Sequence, residues 1–146
     1  MAVRLNYELK SLLKKGWSIE TPEDNLFEWD VVFEGPKACD SAYEGGVWLV
    51  KITFPNDYPY SPPEVKFSTK IFHPNVSSKG EVCIKSITDE WSPKKTMENS
   101  VLSFIEGLLV APDSGNPMNP EADVLFRTNR EEFDKKVDVW KRKYAS

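Results

Sequence analysis

Apolar residues open the chain with helical spacing. Leu5, Leu9, Leu12 and Leu13 fall at i, i+4, i+7 and i+8, the stripe of an amphipathic helix. Gly16 follows Lys14 and Lys15 as a C-terminal stop, and the two lysines suit the negative end of a helix dipole. The period then changes to two. From Leu26 to Glu34, Phe27, Trp29, Val31 and Phe33 fall on one side, while Glu28, Asp30, Val32 and Glu34 fall on the other. Val47 to Phe54 repeats the alternation, with Trp48, Val50, Ile52 and Phe54 expected inward. Gly35-Pro36 and Gly45-Gly46 punctuate the connection, so the pair reads as a hairpin or meander with one solvated face. Glu64 to Ser68 is a third strand, with Val65 and Phe67 alternating. Between these strands, Pro55, Pro59, Pro62 and Pro63 exclude both helix and central strand from residues 55–63. A rigid, exposed loop is expected there, with aromatic rings held outward by pinned backbone. It serves either as a partner-binding loop or as a plain connector.

Past position 90 the helical period returns. Trp91-Ser92-Pro93 marks a stiff turn, and Thr96 reads as an N-cap. Val101, Leu102, Ile105, Leu108 and Leu109 then form a strongly apolar stripe, predicting a central helix that covers the sheet. Residues 112–120 are loop. Asn119-Pro120-Glu121 is a cap-then-proline start for a short helix through Phe126. Phe133, Val137, Trp140 and Tyr144 space a last helix to the C-terminus. With no internal repeat, low-complexity segment or long linker, residues 1–146 read as a single α+β domain with a mostly antiparallel sheet.

Composition narrows the function. The hydrophobic content of 40% and aromatic content of 12% fit a globular fold. A net charge of −4 argues against general affinity for nucleic acid. No apolar run approaches the ~20 residues of a membrane span, and no cleavable signal opens the chain. The two cysteines, Cys39 and Cys83, are expected as reduced thiols in a cytoplasmic or nuclear setting. They lack metal-ligand spacing, and the chain has one histidine, so no metal site is expected. Arg4, Lys10, Lys14 and Lys15 make the first helix basic within an acidic protein. That face is either simply solvated or a docking surface for an acidic partner.

The densest candidate chemistry lies in residues 72–84, FHPNVSSKGEVCI. Pro74 pushes His73 into an extended conformation, and Ser77-Ser78-Lys79-Gly80 supplies turn residues, with Gly80 free to take positive φ. Cys83 follows between Val82 and Ile84. Three readings stand: a buried structural cysteine, a nucleophile with His73 as its base, or a carrier thiol with the Asn75 amide aimed at a reacting carbonyl.

The motifs YPYSPP (58–63), HPN (73–75), Cys83, WSP (91–93) and the late stretch from Pro112 to Ala122, in this order, resemble the catalytic domain of ubiquitin-conjugating enzymes. The likeness spans essentially the whole chain, and is nearest to the compact members without extensions. It implies a four-stranded antiparallel sheet with an N-terminal helix, a central helix and C-terminal helices. By the same resemblance, Cys83 accepts ubiquitin from the activating enzyme as a thioester and passes it to a substrate lysine or a ligase cysteine. His73 orders the HPN turn. Asn75 stabilises the oxyanion or braces the loop; loss of an oxyanion donor typically costs on the order of 10²–10³ in rate. Arg4 and Lys10 match the surface that meets the activating enzyme. Tyr60, Ser92 and Pro93 match the loops gripped by RING and HECT ligases. The implied protein is a monomer without cofactor, ATP being consumed by the activating enzyme.

The chain also departs from the family pattern. Members that react with lysine usually carry an acidic residue two positions past the cysteine and another just before the proline of the late loop. Here those positions hold Lys85 and Asn116. Only about 10⁻³ of a free lysine is unprotonated at neutral pH, so lost negative charge should weaken attack by an amine. A free thiol near pKa 8.5 already supplies some thiolate and needs no base. Cysteine-to-cysteine transfer with weak lysine reactivity is therefore expected, with Asp89, Glu90 or Asp113 available to compensate. Lys94 replaces a small residue common in promiscuous members, which predicts a narrower ligase set. Lys37 to Ala42 is slightly longer than in similar members, and Cys39 within it reads as an incidental exposed thiol.

Overall fold

Four strands pair in chain order, and their register puts every second side chain into the core. The computed structural model describes residues 2–37, 40–82, 88–113 and 117–146. Helix α1, Ala2–Lys14, leads into strands β1, Ile19–Glu20, β2, Glu28–Glu34, β3, Val47–Thr53, and β4, Glu64–Phe67. Neighbouring strands are antiparallel. Trp29 lies opposite Ile52, Val31 opposite Val50, and Phe33 opposite Trp48. Phe67 and Val65 continue the same layer from β4, and all eight residues are buried. The reverse face carries Glu28, Asp30, Lys51, Glu64 and Lys66, so the alternation follows the pleat. The two-residue β1 is too short for periodicity to reveal. It is held by pairing of Ile19 with Val31.

Helices cover the inner face. Thr96 caps the central one as expected: its hydroxyl accepts from the Asn99 amide (3.2 Å), and the Asn99 side chain accepts from the Thr96 amide (3.1 Å). A π-helical first segment, Met97–Leu102, runs into α2, Ser103–Val110. Val101, Leu102, Ile105, Leu108 and Leu109 are all buried. Helix α3, Pro120–Thr128, is capped by the Asn119 side chain, and α4, Arg130–Tyr144, by Asn129. Beyond α4, the Ala145 carbonyl accepts from the Val47 amide (2.8 Å), while Lys141 donates to the Ala42 and Glu44 carbonyls. The end of the chain thereby closes over the β2–β3 connection.

The proline-rich loop differs from expectation in one respect. Tyr60 is 73% exposed, but Tyr58 is wholly buried. Its ring meets Phe54 edge-to-face and lies beside Trp91, and its hydroxyl donates to the buried carboxylate of Glu8 (2.7 Å). A tyrosine with both an apolar bed and a buried acceptor gains more inside than in water. Only one of the two rings is therefore held outward. On α1, Leu5 and Leu12 are buried and Leu13 is largely exposed, with Glu8 on the inward stripe.

Candidate active site

The segment leading to Cys83 is fixed from both sides. After β4, residues 73–76 turn tightly, with a bridge between His73 and Val76. The chain reverses again through Ser77–Gly80: the Gly80 amide donates to the Ser77 carbonyl, and the Ser77 amide to that of Glu81. Gly80 has φ +86°, as its position in the turn predicts, and a Cβ there would lie 2.2 Å from the Phe67 carbonyl oxygen. No other residue type fits without a shift. Glu81 then bridges Lys66 at the end of β4, and Val82 bridges Val76. Cys83, Lys85, Cys39 and Asn116 lie outside the described residues.

His73 is fully buried, and both ring nitrogens are engaged. The Asn75 amide donates to Nδ1 (2.9 Å), so this nitrogen carries no proton; Nε2 then bears the hydrogen and donates to the Leu108 carbonyl (2.7 Å). Tyr43 stacks on the ring at 5.0 Å and donates its hydroxyl to the Phe72 carbonyl (2.6 Å). Burial pushes the imidazole pKa down to about 4, against the opposing effect of the Leu108 carbonyl. A histidine whose lone pair is occupied and whose protonation is suppressed cannot serve as general base. His73 thus ties the turn to α2 through its two ring nitrogens.

Asn75, 3% exposed, reaches across to the late loop. Its Nδ2 donates to the Asp113 carbonyl (2.6 Å), and its Oδ1 accepts from the Asp113 amide (2.8 Å). The amide donor at Asp113 fixes which side-chain atom is oxygen. The loop also returns to the turn further on, where the Met118 and Asn119 amides both donate to the Pro74 carbonyl. The HPN turn is thus the anchor on which the late loop and the start of α3 are hung. Of the two roles read for Asn75, the brace is the one this geometry displays.

The remaining site residues lie on α1, in the loops around residues 60 and 92, and in the late loop. Lys10 is exposed on α1. Arg4 is different: Nε donates to Glu8 (3.0 Å), Nη1 to the Pro93 carbonyl (2.8 Å) and Nη2 to the Lys95 carbonyl (2.7 Å). Each of its nitrogens is engaged within the fold. Tyr60 and Pro93 are exposed and Ser92 is half-buried. Trp91 joins their two loops by donating from Nε1 to the Pro59 carbonyl (2.8 Å). Asp89, Glu90 and Asp113 are exposed acids.

No sequence motif marks Glu8, yet its carboxylate accepts from Arg4, Tyr58 and Met97. Its signal was available: positions 5, 8 and 12 share one helical stripe, so a charged residue there faces the core.

A family model described as ubiquitin-conjugating enzyme matches residues 4–141. The chain belongs to the ubiquitin-conjugating enzyme family. Two solved structures extend the likeness over the whole molecule. A candidate ubiquitin conjugating enzyme from Plasmodium yoelii is 38% identical, with a TM-score of 0.90 over 99% of this chain and 94% of its own. The E2 domain of a Toxoplasma gondii ubiquitin conjugating enzyme is 34% identical, with a TM-score of 0.89 over 99% of this chain and 98% of its own. The four-stranded antiparallel sheet with its helices is this family's fold. As a ubiquitin-conjugating enzyme the protein is a transferase acting through a cysteine thioester, and it works with ubiquitin, an activating enzyme and ligases.

Proposed function

We propose that Cys83 is the thioester acceptor and that this enzyme passes ubiquitin chiefly to ligase cysteines, with little intrinsic transfer to lysine. The observation that carries the reading is the state of His73: the chain's one histidine is buried, neutral and doubly bonded, so the acyl-transfer step has no imidazole base. Thiol and amine acceptors differ in how much that matters. A ligase thiolate attacks the thioester carbonyl directly; a new S–C bond forms, the bond to Cys83 breaks, and Cys83 Sγ leaves as thiolate. No net proton is moved. An amine must lose a proton, and an acidic environment is the usual means of assisting it. Lys85 and Asn116 stand where the family pattern has acids. Positive charge beside the thiol repels an incoming ammonium and favours a leaving thiolate.

Two surfaces complete the proposal. The exposed Lys10 on α1, together with the α1 end that carries Arg4, receives the activating enzyme; Tyr60, Ser92 and Pro93 receive RING or HECT ligases. The protein acts as a monomer in the cytoplasm or nucleus and holds no cofactor. The test is single-turnover discharge: enzyme loaded with ubiquitin is quenched from further charging, then mixed with free cysteine or free lysine. Cysteine should strip the thioester at least tenfold faster than lysine at matched nucleophile concentration and pH. Replacing Lys85 by Asp and Asn116 by Asp together should narrow that gap. Lysine discharge as fast as cysteine discharge would reject the preference.

A further inference from the structure

We infer that Glu8 and Arg4 form a strut that sets the spacing between the two loops of the ligase-docking surface, making Glu8 a positioning residue for ligase-dependent transfer. This rests on the assignment of Tyr60 and Pro93 to that surface. Glu8 is 6% exposed, and its carboxylate collects three donors from three elements. Arg4 Nε of α1 (3.0 Å) and the Tyr58 hydroxyl of the proline loop (2.7 Å) reach Oε2, and the Met97 amide at the start of the central helix (2.9 Å) reaches Oε1. Arg4 extends the connection by donating to the Pro93 and Lys95 carbonyls (2.8 and 2.7 Å). Trp91 closes the ring of contacts through the Pro59 carbonyl.

The exposed groups sit at the ends of these bonds. Tyr60 lies two residues beyond Tyr58, and its amide donates to the Asp57 carbonyl within the same turn (2.8 Å). Pro93 is itself the residue whose carbonyl Arg4 holds. The distance between Tyr60 and Pro93 is therefore governed from beneath, by a buried carboxylate that neither of them touches. A docking surface preformed in this way presents two loops as one body and avoids the ordering penalty that mobile loops would add on binding.

The chemistry of the donors makes the carboxylate specific. All three groups that face Glu8 are donors, and they occupy both oxygens. Glutamine has the same shape but must turn its NH₂ towards at least one of them, leaving a donor against a donor. At Arg4, lysine keeps the charge but cannot span Glu8 and two carbonyls from one planar group.

Two readouts on Glu8→Gln and Arg4→Lys test the strut. The first is hydrogen exchange on the uncharged enzyme. Amides of 57, 58, 60 and 61 and of 95–97 should exchange about tenfold faster or more, and together, while β2 and β3 are unchanged. A response confined to Met97, or none, overturns the coupling. The second is discharge in the presence of a RING or HECT domain chosen because it stimulates the wild-type enzyme. The half-saturating ligase-domain concentration should rise about tenfold, while the rate at saturating ligase and the discharge of Glu8→Gln by free cysteine stay within twofold. An unchanged half-saturation with accelerated exchange overturns the role in docking. Tyr60→Ala and Pro93→Ala serve as the reference. If no stimulating domain is found, or these two leave half-saturation unmoved, the ligase-surface reading fails and the docking role falls with it, while exchange still decides whether the strut exists.

Discussion

His73 is held neutral by its burial, against the pull of the Leu108 carbonyl on Nε2 and with the Asn75 amide occupying Nδ1, and that state has a pH signature. Its folded pKa of about 4 lies below the ordinary 6.5, so between those values the unfolded chain binds a proton that the native chain refuses. Stability from this group is complete above pH 6.5 and is lost as pH falls through 4. The loss amounts to roughly 3 kcal/mol at most, since each tenfold difference in proton affinity between the two states is worth about 1.36 kcal/mol. Urea midpoints for the wild type should fall from pH 7 to pH 4.5, and His73→Gln, less stable at pH 7, should show a shallower fall over the same range. Because the chain has no second histidine, the difference between the two profiles belongs to position 73. An equally steep fall in the variant would contradict the neutral tautomer. What the sequence could say of this residue was its place before Pro74, which implies an extended turn. Its acceptor, Leu108, is 35 positions away on α2, and no local pattern announces such a bond.

At the scale of elements, the turn from Ser77 to Gly80 sets the pairing of Glu81 and Val82, the last described residues before Cys83. Gly80→Ala would force a left-handed backbone on alanine and drive a Cβ to 2.2 Å from the Phe67 carbonyl. A cost of at least about 1–3 kcal/mol is expected in denaturant unfolding. Charging by the activating enzyme should also slow, because the bridges of Glu81 to Lys66 and Val82 to Val76 share that turn. A variant with wild-type stability and charging would show that the turn does not set the approach to the thiol. This glycine, the two long strands and the cap at Thr96 were legible because each rests on a local rule: positive φ, period two, and a side chain three residues from its amide. Tyr58 was not. Its loop has no period, and its burial depends on Glu8, Phe54 and Trp91, which lie in three other segments. The same separation hid the engagement of Arg4, whose positive charge suggested a solvated or partner-facing side chain, whereas carbonyls some ninety residues later hold it.

Across the whole molecule, two sets of long-range bonds organise two regions. One centres on the HPN turn, where His73, Pro74 and Asn75 tie α2, the late loop and the start of α3 to the chain that runs into Cys83. The other centres on Glu8, where α1, the proline loop and the 91–97 segment converge. The first region supplies a fixed frame without an imidazole base, which suits a thiol that stores an acyl group and releases it to another thiol. The second, on the proposed reading, supplies a preformed surface for the ligases that unload it. The proposed transfer to ligase cysteines requires that ubiquitin be carried on Cys83. The most direct measurement is a charging reaction with activating enzyme, ATP and ubiquitin, resolved with and without reductant. The wild type should give one ubiquitin-sized mass increment that reductant removes, Cys83→Ser an increment that resists reductant as an oxyester, and Cys83→Ala none. A reductant-sensitive adduct that persists in Cys83→Ala would place the thioester elsewhere and contradict the account.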